Sequence, residues 1–283
     1  MKAAPFEYKR AGSVAAASAL LREHGDGAWL IAGGQTLLAT LGMRLSQPSL
    51  LIDIRGIAEM QGISLAGNRL RIGALVRHVD IEKSALVAGR LPLLTLAAPH
   101  IAHAAIRNRG TFGGSIAFAD PAAEWPACAV AGDAEFILGD GNETRRVRAS
   151  DFFLDLYQTG LRPSELIVAA EFPLPGPDRR FAFNELARRN GDYAMAGIAL
   201  AGDVRGGTVE DMRIVYFGVG NTPVRALGAE KALIGTNANA GAVERAITSL
   251  AGDLFAKGLK PGGEIKLHLA GVLLRREIRS LTS

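Results

Sequence analysis

One run, Arg107-Asn108-Arg109-Gly110-Thr111-Phe112-Gly113-Gly114-Ser115-Ile116-Ala117-Phe118-Ala119-Asp120-Pro121-Ala122-Ala123-Glu124-Trp125-Pro126, constrains what this chain can fold into more than any other. The pair Gly113-Gly114 stands between the hydroxyls of Thr111 and Ser115. A helix start then reads from its chemistry. Asp120 suits an N-cap, since its carboxylate can accept from first-turn N–H groups. Pro121 suits the first helical position, and Glu124 the first turn, near the positive end of the helix dipole. A glycine loop beside a helix N-terminus is a place for phosphate, because backbone N–H groups face the anion and no Cβ blocks it.

A second glycine pair lies about eighty residues earlier. Ser13 caps a helix to His24, ended by Gly25-Asp26-Gly27. Trp29-Leu30-Ile31 reads as a short buried strand. Ala32-Gly33-Gly34-Gln35-Thr36-Leu37-Leu38 follows, with Leu37, Leu38, Leu41 and Leu45 at helical spacing and Pro48 as the stop. Leu50-Leu51-Ile52-Asp53-Ile54 is a further buried strand. Strand, glycine turn, helix, strand is a crossover unit, which implies parallel pairing. Either glycine pair alone is an ordinary turn that allows positive φ. Two of them, with Thr36, Thr111 and Ser115 alongside, point to one pyrophosphate gripped from two sides.

The next region changes character. Ile63-Ser64-Leu65 and Arg69–Gly73 alternate around Gly67-Asn68, a hairpin signal. Val79 to Leu86 and Leu91 to Ile106 read as helices. Ala134–Leu138 and Thr144–Arg148 form a second hairpin across Gly139-Asp140-Gly141-Asn142. Ser150–Phe153 is a helical turn, and Glu165–Phe172 a strand ending at Pro173. Pro173-Leu174-Pro175-Gly176-Pro177 is the best linker in the chain. Beyond it, strands at Phe181–Leu186, Ala196–Val204 and Val209–Gly218 precede helices at Ala226–Ile234, Ala240–Leu254 and Glu264–Leu281. Strands segregated from helices indicate an α+β protein.

Composition and missing motifs exclude several classes. The chain has 283 residues, is 48% apolar and 21% charged, and is neither disordered nor repetitive. Its net charge of +4 is scattered as pairs such as Arg145-Arg146 and Arg188-Arg189, with no basic stripe for nucleic acid. A lone cysteine, Cys128, rules out an internal disulfide and cannot alone hold an iron–sulfur cluster. No apolar run is long enough to span a membrane, and no leader peptide is legible, so a cytoplasmic location is expected. There is neither G-x-G-x-x-G after a strand nor a phosphate-loop G-x-x-x-x-G-K, and no G-x-S-x-G elbow. His100 and His103 could share a helix face as metal ligands, but no carboxylate completes a set, so partly buried helix histidines are the preferred reading. Arg188-Arg189-Asn190-Gly191-Asp192-Tyr193-Ala194 could set Tyr193 against a planar cofactor, or be a hairpin turn with a surface tyrosine.

These motifs occur in an order that resembles the FAD-binding medium subunit of molybdenum hydroxylases, the xanthine dehydrogenase and carbon monoxide dehydrogenase family. The resemblance spans nearly the whole chain. It is carried by Ala32–Leu38, Arg107–Ser115, Asp120–Glu124, Arg188–Ala194 and Gly218-Val219-Gly220-Asn221-Thr222-Pro223-Val224-Arg225-Ala226. It implies an FAD domain of the vanillyl-alcohol-oxidase or PCMH type over residues 1–176, with subdomains of about 1–57 and 58–176. A C-terminal domain of three antiparallel strands and a helix bundle would occupy 177–283. The resemblance assigns the pyrophosphate to Ala32, Gly33, Gly34, Gln35, Thr36 and Leu37 and to Thr111, Gly113, Gly114 and Ser115. It assigns Glu124 to the ribityl and ribose hydroxyls, Ile101, Leu166 and Ile167 to the lining of the flavin, and Tyr193 to the isoalloxazine ring. Asn184 stands where some xanthine-oxidising relatives have a lysine, which puts NAD+ in question as acceptor.

The same resemblance implies partners: a small subunit with two 2Fe-2S clusters and a large molybdopterin subunit, in a dimer of heterotrimers. Part of the C-terminal domain would dock the iron–sulfur subunit. The chain would then carry no substrate chemistry of its own. An N-heterocycle, a purine, an aldehyde and carbon monoxide all stay open as substrates. A free-standing flavin oxidoreductase and a scaffold without flavin are the competing readings.

Overall fold

A computed structural model describes residues 2–189, 191–257, 259 and 263–282. Among the described residues, three sheets of three or more strands organise the α+β chain, beside a two-stranded pairing of Phe153–Asp155 with Gln158–Thr159. The first has Leu50–Asp53 at its centre, with Glu7–Arg10 and Ala28–Ile31 parallel on either side. All four central residues are buried, as befits a strand covered on both edges and both faces. Trp29 lies on an edge and is 42% exposed, so that strand is not the buried one its composition indicates. Ser13 Oγ accepts the Ala16 N–H at 3.1 Å and starts the helix Val14–His24. The helix after the first glycine pair, Leu37–Gly42, stops well before Pro48, and Arg44 turns the chain at φ 57°. Leu38 and Leu45 consequently face outward.

The second sheet is antiparallel, in the order Ile63–Ala66, Arg69–Gly73, Leu166–Pro173, Glu135–Gly139, Thr144–Arg148. Both expected hairpins form its edges, and the strand before the proline linker forms its centre. The long helices expected between them are broken into short pieces: His78–Glu82, Ala85–Arg90, Pro92–Ala97 and Ala104–Arg107. Ser84 caps the second piece, Pro92 opens the third, and Ala102 at φ 44° separates the last. His100 falls in a 3-10 turn and His103 at an N-cap, so the two histidines do not share a helix face.

The third sheet joins Arg179–Leu186, Ala196–Arg205 and Thr208–Phe217, with a two-residue strand Val224–Arg225 at its edge. Alternation along these strands divides the cores. Phe183, Ala199, Val215 and Phe217 join the core beneath the first two sheets. Ala182, Ile198, Leu200, Ile214 and Tyr216 pack with the helices Leu227–Leu233, Ala240–Phe255 and Glu264–Thr282. The Tyr216 hydroxyl donates to the Ala270 carbonyl at 3.0 Å, satisfying a wholly buried phenol.

The helix Glu124–Ala131 lies at the junction, touching both long inner strands of the third sheet, with Trp125 and Cys128 fully buried. It does not begin at Asp120. The Asp120 carboxylate accepts the Ala122 N–H at 2.9 Å in a local turn, and the Pro121 carbonyl accepts the Gly218 N–H at 2.7 Å. These contacts hold residues 120–123 as a linker, and Ala123 occupies the N-cap position.

Candidate cofactor site

The two glycine motifs meet. A Cβ on Gly33 would stand 2.3 Å from the Arg109 carbonyl oxygen and 2.7 Å from the Gly110 Cα. Both loops line one open cleft of about 550 Å³, with Ala32, Gly33, Arg55, Arg77, Arg109 and Thr111 on its walls. The first loop is held open from within: Gly34 turns at φ 72° and Gln35 Nε2 donates to the Gly33 carbonyl at 3.0 Å. No acceptor among the described residues takes the N–H groups of Gly34, Gln35, Thr36 or Leu37. Four adjacent free amides form an anion-binding concavity.

The second motif differs from its sequence reading. Gly113 and Gly114 lie in the first turn of the helix Phe112–Phe118, not in a loop. The Phe112 and Gly113 N–H groups donate to the Val76 and Ala74 carbonyls, and Thr111 Oγ1 accepts from Gly114. Gly113 is needed for packing, because a Cβ there would meet Ala74 at 2.4 Å. Gly114 presents an exposed face. This motif therefore offers side-chain hydroxyls and a smooth surface, and leaves the free amides to the first.

The cleft is electropositive. Asp53 is wholly buried and accepts from the Arg55 guanidinium at 2.9 Å on Oδ1 and 2.8 Å on Oδ2, while the Tyr8 hydroxyl also donates to Oδ2. Those donors, Arg55 foremost, keep the Asp53 carboxyl far below the usual range. Arg77 is paired with Asp80. Arg109 has no acidic partner among the described residues. Under this loop lies a residue the sequence reading passed over. His78 is buried, accepts the Trp125 Nε1–H on Nδ1 at 2.9 Å, and lies close against Gly110. Burial, with Arg107 nearby, pushes its pKa down to about 4, so it stays neutral. A lone histidine in mixed sequence carries no signal of such a role.

A second cluster forms at the other end of the 109–124 stretch. Gly191 turns at φ 81° against the Ala102 carbonyl, which brings the Tyr193 loop beside Ile101. Tyr193 is 70% exposed, and its phenol pKa is raised, by burial first and then by Asp120, Tyr157 and Glu124. Asn190 lies outside the described residues. The Glu124 carboxyl has its pKa pushed up to about 8, by burial first and by the charge of Glu185 second. Ile101 is buried at the rim of this cluster. Leu166 and Ile167 are core residues of the second sheet and do not line the cleft. Asn184 Nδ2 donates to Glu277 Oε1 at 2.6 Å, on the side of its strand toward the C-terminal helix. Among the described residues no group of three or more His, Cys, Asp or Glu could hold a metal ion.

Comparison with known proteins agrees with this geometry. Residues 4–175 match the family model "FAD binding domain in molybdopterin dehydrogenase", and residues 181–281 match "CO dehydrogenase flavoprotein C-terminal domain". The chain is 37% identical over 276 residues to the carbon monoxide dehydrogenase medium chain of Hydrogenophaga pseudoflava, covering 97% of this chain and 96% of that one. It is 36% identical over 236 residues to the caffeine dehydrogenase subunit beta of Pseudomonas sp. (strain CBB1), covering 83% and 80%. A solved structure of carbon monoxide dehydrogenase from Hydrogenophaga pseudoflava superposes with a TM-score of 0.94 at 37% identity, over 99% of this chain and 98% of that one. The chain thus belongs to the FAD-binding medium subunits of the molybdenum hydroxylases, the oxidoreductase family of carbon monoxide and xanthine dehydrogenases.

Proposed function

We propose that this chain is the electron-transfer subunit of a multi-subunit molybdenum hydroxylase, standing between the 2Fe-2S clusters of a small partner and an external acceptor. A large molybdopterin subunit would carry the substrate chemistry, and a dimer of heterotrimers in the cytoplasm is the proposed assembly. The relatives named as medium chain and subunit beta support this reading. Among the described residues no helix is long and apolar enough to cross a membrane. The observation that carries the proposal is the closure of Gly33 onto Arg109-Gly110, which turns two distant motifs into one cleft.

The residues fit FAD. The four free amides of Gly34–Leu37 and the unpaired Arg109 suit a pyrophosphate, and the Thr111 and Ser115 hydroxyls stand on the same stretch. Ala32, Gly33 and Gly113 shape the walls, and Gly114 gives an open surface. Glu124 is proposed for the ribityl hydroxyls, and Ile101 and Tyr193 for the flavin ring. Leu166 and Ile167 would back that region from the core. FAD, when bound, takes electrons singly and releases them as a pair, while the protein supplies position and electrostatics. The proposed division is residues 1–176, in parts of about 1–57 and 58–176, for FAD, and 177–283 for closing the flavin side and docking the iron–sulfur subunit.

Absorption spectra of the chain alone and with its co-expressed neighbours, with chromatography of the released flavin, test the proposal. FAD on the lone chain and bleaching by substrate in the complex alone are expected. Bleaching of the lone chain by an organic substrate would indicate a free-standing oxidoreductase instead.

A further inference from the structure

Arg107 stands two residues before Arg109, yet it does not line the cleft. It ends the short helix Ala104–Arg107, and its side chain is 15% exposed. The guanidinium is shared between a carboxylate and the backbone. Nε donates to Glu82 Oε2 at 2.8 Å, and Nη2 reaches Oε1 at 3.5 Å. That side-on pairing leaves Nη1 free to turn to carbonyls. It donates to the Ile101 carbonyl at 3.1 Å and to the Ala102 carbonyl at 3.3 Å.

Those two carbonyls need a donor. The helix Pro92–Ala97 and the 3-10 turn after it have ended, and Ala102 at φ 44° redirects the chain. Among the described residues no backbone N–H donates to either oxygen. Carbonyls orphaned beyond a helix end are satisfied by water or by a cationic side chain. A guanidinium can serve a carboxylate and two carbonyls at once, because its five donors lie in one rigid fork.

The same two residues bear on the flavin end of the site. Ile101 is buried at its rim. The Ala102 carbonyl that Arg107 holds is also the surface on which Gly191 packs, where a Cβ would stand 2.8 Å from the oxygen. Gly191, at φ 81°, leads into Tyr193 two residues on.

We infer that Arg107 is a positioning residue for the flavin ring: anchored on Glu82, its guanidinium fixes the Ile101–Ala102 backbone, which seats both Ile101 and the glycine turn that carries Tyr193. Arg107 acts through these residues and does not itself touch the cofactor. The inference rests on the reading of Ile101 and Tyr193 as contacts to the ring.

A double-mutant cycle on the FAD affinity of the full chain tests it, with the visible circular dichroism of the bound flavin as a second readout. Arg107→Lys keeps the charge but cannot span Glu82 and both carbonyls. It should weaken FAD binding about tenfold and alter the dichroism of the ring bands, and Tyr193→Ala should do the same. The double variant should lose little more than either single one, because residues that act through one network are not additive. Additive losses would show that Arg107 supports the fold alone, and would overturn the inference. Wild-type affinity and dichroism in Arg107→Lys would overturn it equally. Should Arg107→Lys not fold, Glu82→Gln takes its place in the cycle, since it weakens the anchor and keeps the shape of the side chain. No effect there, or additivity with Tyr193→Ala, overturns the inference as before. Unchanged affinity and dichroism in Tyr193→Ala would instead sink the reading of Tyr193 as a ring contact.

Discussion

Gly33 packs directly on the backbone of Arg109, with 2.3 Å between the place a Cβ would occupy and the Arg109 carbonyl oxygen. Residues far apart in the chain thereby share one wall, and the cleft proposed for FAD depends on that contact.

Gly33→Ala should therefore open the cleft. The clash is with backbone, which cannot swing aside, so a destabilisation of about 1–3 kcal/mol is expected, as for overpacked cores. FAD per chain after purification should drop about tenfold or more. Gly42→Ala is the control, because a Cβ there meets nothing within 4 Å. It should keep its flavin and its melting temperature.

Arg109 tests the charge of the cleft separately from its shape. It is exposed and without an acidic partner among the described residues, so Arg109→Glu should change stability by no more than about 0.5 kcal/mol. FAD affinity should weaken about tenfold, and added salt should narrow the gap between variant and wild type, since exposed charges are screened. Equal affinities at low salt would remove Arg109 from the pyrophosphate site.

His78 makes stability depend on pH on the acid side. Its folded pKa of about 4 lies below the ordinary value of 6.5, so the unfolded chain binds the extra proton first. Stability is then fully present above about pH 6.5 and is lost as pH falls toward 4, by about 3 kcal/mol in total. His78→Phe should flatten this slope in urea melts taken across that range. It should also cost about 1–3 kcal/mol near pH 7, because the buried Trp125 N–H loses its acceptor.

Asp53 acts at lower pH, with its own sign. Its folded pKa is depressed below 3.8, so its contribution is present above that value and lost as pH falls through the folded one. Asp53→Asn should cost about 2 kcal/mol near neutrality, by weakening charge-assisted bonds to Arg55 and Tyr8. Arg55 then loses its anchor at the cleft wall, and FAD affinity should fall with stability. Wild-type stability in a variant with intact flavin binding would show that the triad does not organise the cleft.

Much of the fold around the candidate site was legible because local chemistry marks it. The run from Ala28 to Asp53 has strand, glycine turn, helix and strand within reach of one another, and a crossover of that kind pairs its strands in parallel. The alternating runs at Arg69–Gly73 and Thr144–Arg148 carry their own turns, so both hairpins formed where expected. The proline-rich stretch after Phe172 marks a change in composition. The long helices between Val79 and Ile106 were not legible, because Ser84, Pro92 and a left-handed Ala102 act through caps and φ values that apolar spacing does not record.

The sequence by itself determined which groups are present: two glycine pairs, the hydroxyls beside them, acidic residues about a helix start and a tyrosine on a glycine turn. These are local properties, set by backbone freedom and by residue chemistry. Tertiary structure alone decided how they are used. It placed Gly113 against Ala74 and spent its amide on the Ala74 carbonyl, leaving the free N–H groups to Gly34–Leu37. It put His78 beneath Gly110, and it set the buried Glu185 side chain beside His100. Burial and the approach of remote charges fix those roles, and both depend on contacts between segments that no local pattern encodes.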